Sequence, residues 1–298
     1  MWVKRDDLTS PRYGGNKVRK LERVLEAALA RGAQRIVTVG AAGSHHVLAT
    51  AIYAADLGVG VDAVLVPQPR TTHAVENLRA IAARARIFPA SSFPDAGTVV
   101  VDRIACGAYY VPPGGSNHAG SLAYADAAGE LIAQVERGEL PEPSVVVVTL
   151  GSGGTAAGLA AGFAAAKRDT RVLAVTVSQP AFWVARQARR LAAGCLAELS
   201  PGTPKTALSL EIVDRYLGPG YGHATPEGTR AAASAARFGI TLDGTYTAKT
   251  FAAACDLSAE SDPVLYWHTL SSAPMAPLLE GAPTEDELRA EERALLPT

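Results

Sequence analysis

The sequence predicts an α/β protein with parallel sheets covered by helices on both faces, and three features predict it. Short apolar runs alternate with stretches of helical periodicity along most of the chain. The best strand candidate, Val145-Val146-Val147-Val148-Thr149-Leu150, is a continuous apolar run, as expected of a strand buried on both faces. Glycine-rich turns then join strand to helix, at Gly40-Ala41-Ala42-Gly43-Ser44 and at Gly151-Ser152-Gly153-Gly154-Thr155.

The elements follow in order. Val18, Leu21, Val24, Leu25, Ala28 and Leu29 keep helical spacing, and Arg31-Gly32 ends that helix. Gln34 to Val39 is a buried strand, with a helix from about His45 to Leu57 after the first glycine turn. Val61 to Val66 is the next strand, and a helix begins near Thr72. After a less regular stretch, Ala108 to Val111 is a strand feeding Pro112-Pro113-Gly114-Gly115-Ser116-Asn117, and a helix runs from about Gly120 to Arg137. The second half repeats the theme with strand Val145 to Leu150, helix Ala156 to Lys167, strand Val172 to Val177 and a long helix from Phe182. Thr225-Pro226-Glu227 is a helix start, with threonine as N-cap and proline in the first helical position. Pro283 to Thr298, rich in Glu and Arg, is expected as an exposed helix or tail.

Composition narrows the function. A chain of 298 residues with 48% hydrophobic and 19% charged content has enough apolar material for two packed domains and is not a disordered polymer. A net charge of −1, with Lys and Arg scattered, argues against a nucleic-acid partner. Cys106, Cys195 and Cys255 are far apart in sequence and form no CxxC, which fits a reduced cytoplasmic protein and offers no metal site. The start, Met-Trp-Val-Lys-Arg-Asp-Asp-Leu, carries charges where a signal peptide needs an apolar run. The uncharged stretch from Val145 to Ala166 is long enough to span a bilayer, but its central glycine turn divides it into a buried strand and a buried helix. No membrane partner is expected.

Three clusters carry chemistry. In Gly14-Gly15-Asn16-Lys17-Val18-Arg19-Lys20-Leu21-Glu22, a lysine follows two glycines and opens an amphipathic helix. An amine desolvated there can form a Schiff base with an aldehyde cofactor; taken alone, the motif equally describes a solvated lysine in a turn. The turn Gly151, Ser152, Gly153, Gly154, Thr155 lies where backbone N–H groups and a helix dipole make an anion site. Gly151, Gly153 and Ala156 also match the dinucleotide pattern GxGxxA, but the next strand ends Thr176-Val177-Ser178-Gln179 without the acid a ribose requires, so a single phosphate fits better. Ser44-His45-His46 follows a glycine turn, where Ser44 is a helix N-cap that also suits a carboxylate. Adjacent histidines point apart and make a poor metal pair.

These segments occur in the order of a known pattern. With Val3-Lys4-Arg5-Asp6-Asp7-Leu8, Pro113-Gly114-Gly115-Ser116-Asn117, Gly218-Pro219-Gly220-Tyr221-Gly222, Tyr246-Thr247-Ala248-Lys249 and His268-Thr269, the chain resembles the D-cysteine desulfhydrase and 1-aminocyclopropane-1-carboxylate deaminase family of pyridoxal-phosphate enzymes. The resemblance implies the two-domain tryptophan synthase β-like fold (fold type II). Its larger, cofactor-binding domain is expected over 1–19 and 120–298, its smaller α/β domain over 20–119, and the assembly as a homodimer. It implies that Lys17 carries pyridoxal 5'-phosphate, and that Asn16, Lys20, His45, Thr247 and the turn Gly151, Ser152, Gly153, Gly154, Thr155 help to hold it. Ser44, His46 and Thr269 would meet the substrate, with Lys17, Ser44, Tyr246 and Tyr221 catalytic. Threonine at 247 and 269, where the deaminases carry glutamate and leucine, implies β-elimination of the desulfhydrase kind, giving an α-keto acid, ammonia and sulfide. Thr247 beside the pyridine nitrogen would leave that nitrogen largely unprotonated. The alternatives are ring-opening deamination, a nicotinamide-dependent oxidoreductase built on the glycine turn, and a cofactor-binding protein without turnover. The last is suggested by two departures from the family: His45 in place of asparagine, and Leu270-Ser271-Ser272 in place of glycines.

Overall fold

The computed structural model describes residues 1–178, 180–260 and 263–297; Gln179 and Thr298, named above, lie outside the described residues. The chain runs through β1 (Trp2–Arg5), α1 (Asn16–Leu29), β2 (Arg35–Ala41), α2 (His45–Asp56), β3 (Gly60–Val66), α3 (Thr72–Ala82), β4 (Arg86–Pro89), α4 (Phe93–Ala105) and β5 (Tyr109–Val111). It continues with α5 (His118–Glu136), β6 (Val145–Leu150), α6 (Gly154–Ala165), β7 (Arg171–Thr176), α7 (Ala181–Leu199), β8 (Leu210–Val213), α8 (Pro226–Ala236), α9 (Thr247–Glu260), β9 (Val264–His268), α10 (Ala276–Leu279) and α11 (Ala290–Arg293).

Two compact units result, one of residues 1–20 and 116–272, the other of 21–115 and 273–298. The first holds a five-stranded sheet in the order β1-β9-β6-β7-β8, parallel throughout. Its central strand β6 is buried at every position and feeds both faces. Val146, Val148 and Leu150 pack with α5 and α6, through Tyr124, Leu131, Leu159 and Phe163. Val145 and Val147 face the opposite core, with Ala231 and Ala235 of α8 and Phe251 of α9. This two-residue alternation of direction is why a valine-rich strand can serve two cores.

The uncharged stretch resolves into β6 and α6, and no helix among the described residues is long and apolar enough to cross a membrane. The glycines of α6 recur every four residues because α5 lies against them. A Cβ on Gly158 would fall 2.0 Å from the Ser121 carbonyl oxygen, and one on Gly162 2.7 Å from the Ala128 Cβ.

The second unit holds a parallel four-stranded sheet in the order β4-β3-β2-β5. Here the structure corrects two expectations. The expected larger domain took in everything from 120 to 298, yet 273–298 packs within the second unit. Arg79 donates to the Pro283 carbonyl at 2.7 Å, Arg84 to Leu278 at 2.8 Å, Arg289 to Ile87 at 2.9 Å, and the Gln68 N–H to Leu295 at 3.0 Å. The segment is also no exposed tail, because Leu288, Leu295 and Leu296 are buried. Its arginines hydrogen-bond backbone carbonyls, a use that composition alone disguises as solvation.

Candidate active site

The start of α1 is fixed by close backbone packing. A Cβ on Gly14 would fall 2.2 Å from the Asp7 carbonyl oxygen, and one on Gly15, where φ is +90°, 2.6 Å from that of Thr269. Only glycine fits both positions. The Gly15 N–H donates to the Asp6 carbonyl at 2.7 Å and the Asn16 N–H to the Thr269 carbonyl at 3.1 Å. Thr269 thus holds the turn through its backbone. Buried Asp6 braces the same helix, accepting from Trp267 Nε1 at 2.7 Å, Tyr124 Oη at 2.5 Å and Arg19 Nε at 3.0 Å.

This frame sets two lysines on one face of α1. Lys17 Nζ donates to Asn16 Oδ1 at 2.6 Å, and Asn16 Nδ2 donates to Thr155 Oγ1 at 3.0 Å. Lys20 Nζ donates to Ser116 Oγ at 3.2 Å; that oxygen lies 2.8 Å from Ser152 Oγ and accepts the Gly154 N–H at 3.1 Å. Both lysines are therefore tied to the first turn of α6. The N-cap of α6 is Gly153, left-handed at φ +94° and without a capping side chain. A Cβ there would lie 3.2 Å from Ala188.

The electrostatics suit an anion and a reactive amine. Lys17 keeps some exposure as a residue, but its amine is enclosed, and burial lowers its pKa to about 8, opposed by the Asp243 carboxylate. Burial and the nearby charge of Lys17 push Lys20 well down. Two partly desolvated cations beside an uncapped helix N-terminus favour a ligand carrying concentrated negative charge, as a phosphate does. The residues present fit pyridoxal phosphate, which needs a buried lysine and an anion cradle.

Tyr246 and Tyr221 stand together, their hydroxyls hydrogen-bonded and their rings edge-on at 5.6 Å. Burial pushes Tyr221 up to about 12 and Tyr246 well above the ordinary phenol value, so both are neutral near pH 7. Asp243 caps α9 by accepting the N–H groups of Thr245 at 2.9 Å, Tyr246 at 2.6 Å and Thr247 at 3.2 Å. The Thr247 hydroxyl donates to Asp243 Oδ2 at 2.7 Å and accepts the Asp243 N–H at 2.8 Å. Its proton is committed, so Thr247 offers a ligand only a lone pair.

The sequence reading missed Asp243 and Ser116 as site residues. The sequence signal for Asp243 is an Asx-type N-cap in Asp243-Gly244-Thr245; for Ser116 it is a hydroxyl after two glycines.

Ser44, His45 and His46 belong to the second unit. Ser44 Oγ accepts the Val47 N–H at 3.3 Å as the N-cap of α2. His46 is buried, with Nε2 2.9 Å from Thr38 Oγ1 on β2. His45 Nε2 lies 2.9 Å from His73 Nε2, which also accepts from Asn77 Nδ2 at 3.2 Å. The Asn77 amide is oriented by its donation to the Gly43 carbonyl at 2.9 Å.

Comparison with known proteins identifies the family. The model of the family described as pyridoxal-phosphate dependent enzyme matches residues 1–269. D-cysteine desulfhydrase of Salmonella typhi is 34% identical over 288 residues, covering 90% of this chain and 86% of its own length. A putative 1-aminocyclopropane-1-carboxylate deaminase of Pyrococcus furiosus is 32% identical over 279 residues, covering 90% and 84%. The crystal structure of a homologue of that deaminase superposes with a TM-score of 0.79 at 29% identity, covering 93% of this chain and 87% of that one.

Proposed function

Because the chain belongs to the pyridoxal-phosphate dependent enzymes, we propose that it eliminates the β-substituent of a small amino acid, as a D-cysteine desulfhydrase does, releasing an α-keto acid, ammonia and sulfide. Its fold is the expected tryptophan synthase β-like fold, fold type II. The observation that carries the reading is the enclosed Lys17 amine, with its pKa lowered to about 8, beside a second buried lysine and the N-terminus of α6.

When bound, pyridoxal phosphate supplies an electron sink for charge left at the substrate Cα. Lys17 holds the cofactor and, once displaced by the substrate amine, takes the Cα proton at Nζ. With a pKa near 8 roughly one free amine in ten is unprotonated at pH 7, against far fewer for an ordinary lysine. Asn16 orients that amine. Lys20, Ser152 and the turn Gly151–Thr155 hold the phosphate, with Ser116 linking Lys20 to Ser152 and Gly154. Thr247, whose hydroxyl proton is held by the Asp243 carboxylate, would offer the cofactor ring only a lone pair. For the second unit, the proposed roles are a carboxylate contact for Ser44 at the N-cap of α2 and a cofactor contact for His45. Tyr221 and Tyr246, kept as phenols, hold a proton at the reacting face. The protein acts as a cytoplasmic homodimer, which suits its free cysteines.

Ring-opening deamination of 1-aminocyclopropane-1-carboxylate is the second reading, favoured by the names of the Pyrococcus furiosus relative and of the homologous crystal structure. Thr247 and Thr269 speak for elimination. The holoenzyme is assayed with D-cysteine, L-cysteine and the cyclopropane amino acid, following α-keto acid and sulfide. Equal amounts of both products from D-cysteine, at a rate above that of the cyclopropane, are expected. Faster opening of the cyclopropane transfers the chain to the second reading.

A further inference from the structure

We infer that Lys249 is a positioning residue for the tyrosine pair, acting as a clamp on the glycine loop that carries Tyr221. The inference rests on the proposed reading that Tyr221 and Tyr246 face the substrate.

Lys249 is fully buried, yet no carboxylate hydrogen-bonds its amine among the described residues. Its Nζ donates instead to the backbone carbonyls of Leu217, at 2.8 Å, and Gly220, at 2.9 Å. Burying a lysine to reach two carbonyls is costly, and burial lowers its pKa accordingly. A hydrophobic residue would fill the space more cheaply, so the position points to what the carbonyls belong to.

They belong to a loop with little regular structure of its own. Gly218, Gly220 and Gly222 all have positive φ, at 61°, 127° and 83°. Such a segment loses much backbone entropy on ordering and needs an outside restraint to hold one conformation. Tyr221 sits between two of these glycines, and its hydroxyl meets that of Tyr246.

Tyr246 and Lys249 are three residues apart at the start of α9, which puts them on one side of the helix. The Thr250 N–H donates to the Tyr246 carbonyl at 3.3 Å, so Tyr246 is already joined to that first turn. One turn of α9 therefore grips the loop twice, Lys249 by the carbonyls and Tyr246 by the phenol. The spacing in Tyr246-Thr247-Ala248-Lys249 is thereby explained as a two-point hold on the loop. Lys249 itself touches neither cofactor nor substrate in this account.

The test is a double-mutant cycle on the holoenzyme with Lys249→Met and Tyr221→Phe, read alongside ultraviolet titration of the tyrosines. Lys249→Met is expected to lower kcat/KM by about 10- to 100-fold, as loss of alignment does. Adding Tyr221→Phe to it should cost no more than about threefold further, because the loop has already let the phenol go. In Lys249→Met one phenol should titrate nearer the ordinary value of about 10, and that change should vanish in the double variant. Two losses that multiply, or an unchanged titration, overturn the clamp. If Lys249→Met does not fold, Lys249→Gln and Lys249→Arg carry the same cycle, with arginine, which keeps two donors, the closer to wild type. Should Tyr221→Phe alone leave turnover unchanged, the substrate-facing reading of that tyrosine fails, and the titration alone decides whether Lys249 holds the loop.

Discussion

Replacing Lys17 with methionine is expected to end turnover and, at the same time, to stabilise the cofactor-free protein. The loss of activity should reach roughly 10⁴-fold or more, since the same amine anchors the cofactor and moves the proton. The gain in stability comes from the lowered pKa. An unfolded chain returns Lys17 to about 10.5, whereas the folded one holds it at about 8. Between those values the unfolded state binds the extra proton, so wild-type stability rises with pH across this window. Below pH 8 the full penalty is present, on the order of 3 kcal/mol. Lys20 adds to it in the same sense. Thermal unfolding of cofactor-free wild type and Lys17→Met, compared from pH 7 to pH 10.5, should show a stability gap that narrows as the pH rises. A gap absent at pH 7 would mean that the amine is solvated and the site is misread.

The second large effect is expected at Asp6. Its carboxylate is fully buried and serves Trp267 Nε1, Tyr124 Oη and the Arg19 guanidinium together. Asp6→Ala leaves two buried donors without their acceptor and Arg19 with Glu130 alone, so a loss of about 3–5 kcal/mol is expected. Because Arg19 lies two residues beyond Lys17, cofactor affinity should fall with stability. Denaturant unfolding measures the first and cofactor titration the second. A cost below about 1 kcal/mol would show that the network does not brace α1.

What the sequence disclosed depended on how local each signal was. β2, β3, β6 and β7 were found because each is a near-continuous apolar run beside a glycine turn, and α1 because its apolar positions keep one face. β1 escaped because half of it is Lys4 and Arg5, which an edge strand tolerates at its rim. β4 is only four residues long, and α4 begins with Phe93-Pro94 and carries Gly97, so neither stands out by period. β9 is short and ends in Trp267-His268, both buried, so its polar end hides a strand.

The same holds for the site. Asn16, Lys17 and Lys20 lie within five residues of one another, and Gly151 to Thr155 are consecutive, so each motif announces itself. The links between them do not. Ser116 reaches Lys20 across 96 positions, and Asn16 reaches Thr155 across 139. Asp243 acts on Lys17 through space, and His45 pairs with His73 from another helix. Such contacts exist only once the chain has folded.

The central claim is that Lys17 holds pyridoxal phosphate. It is tested most directly by reducing the purified holoenzyme with borohydride and mapping the labelled peptide. One modified residue is expected, Lys17, in the tryptic peptide from Tyr13 to Arg19. A label on Lys20, Lys249 or any other lysine, or no label at all, would contradict it.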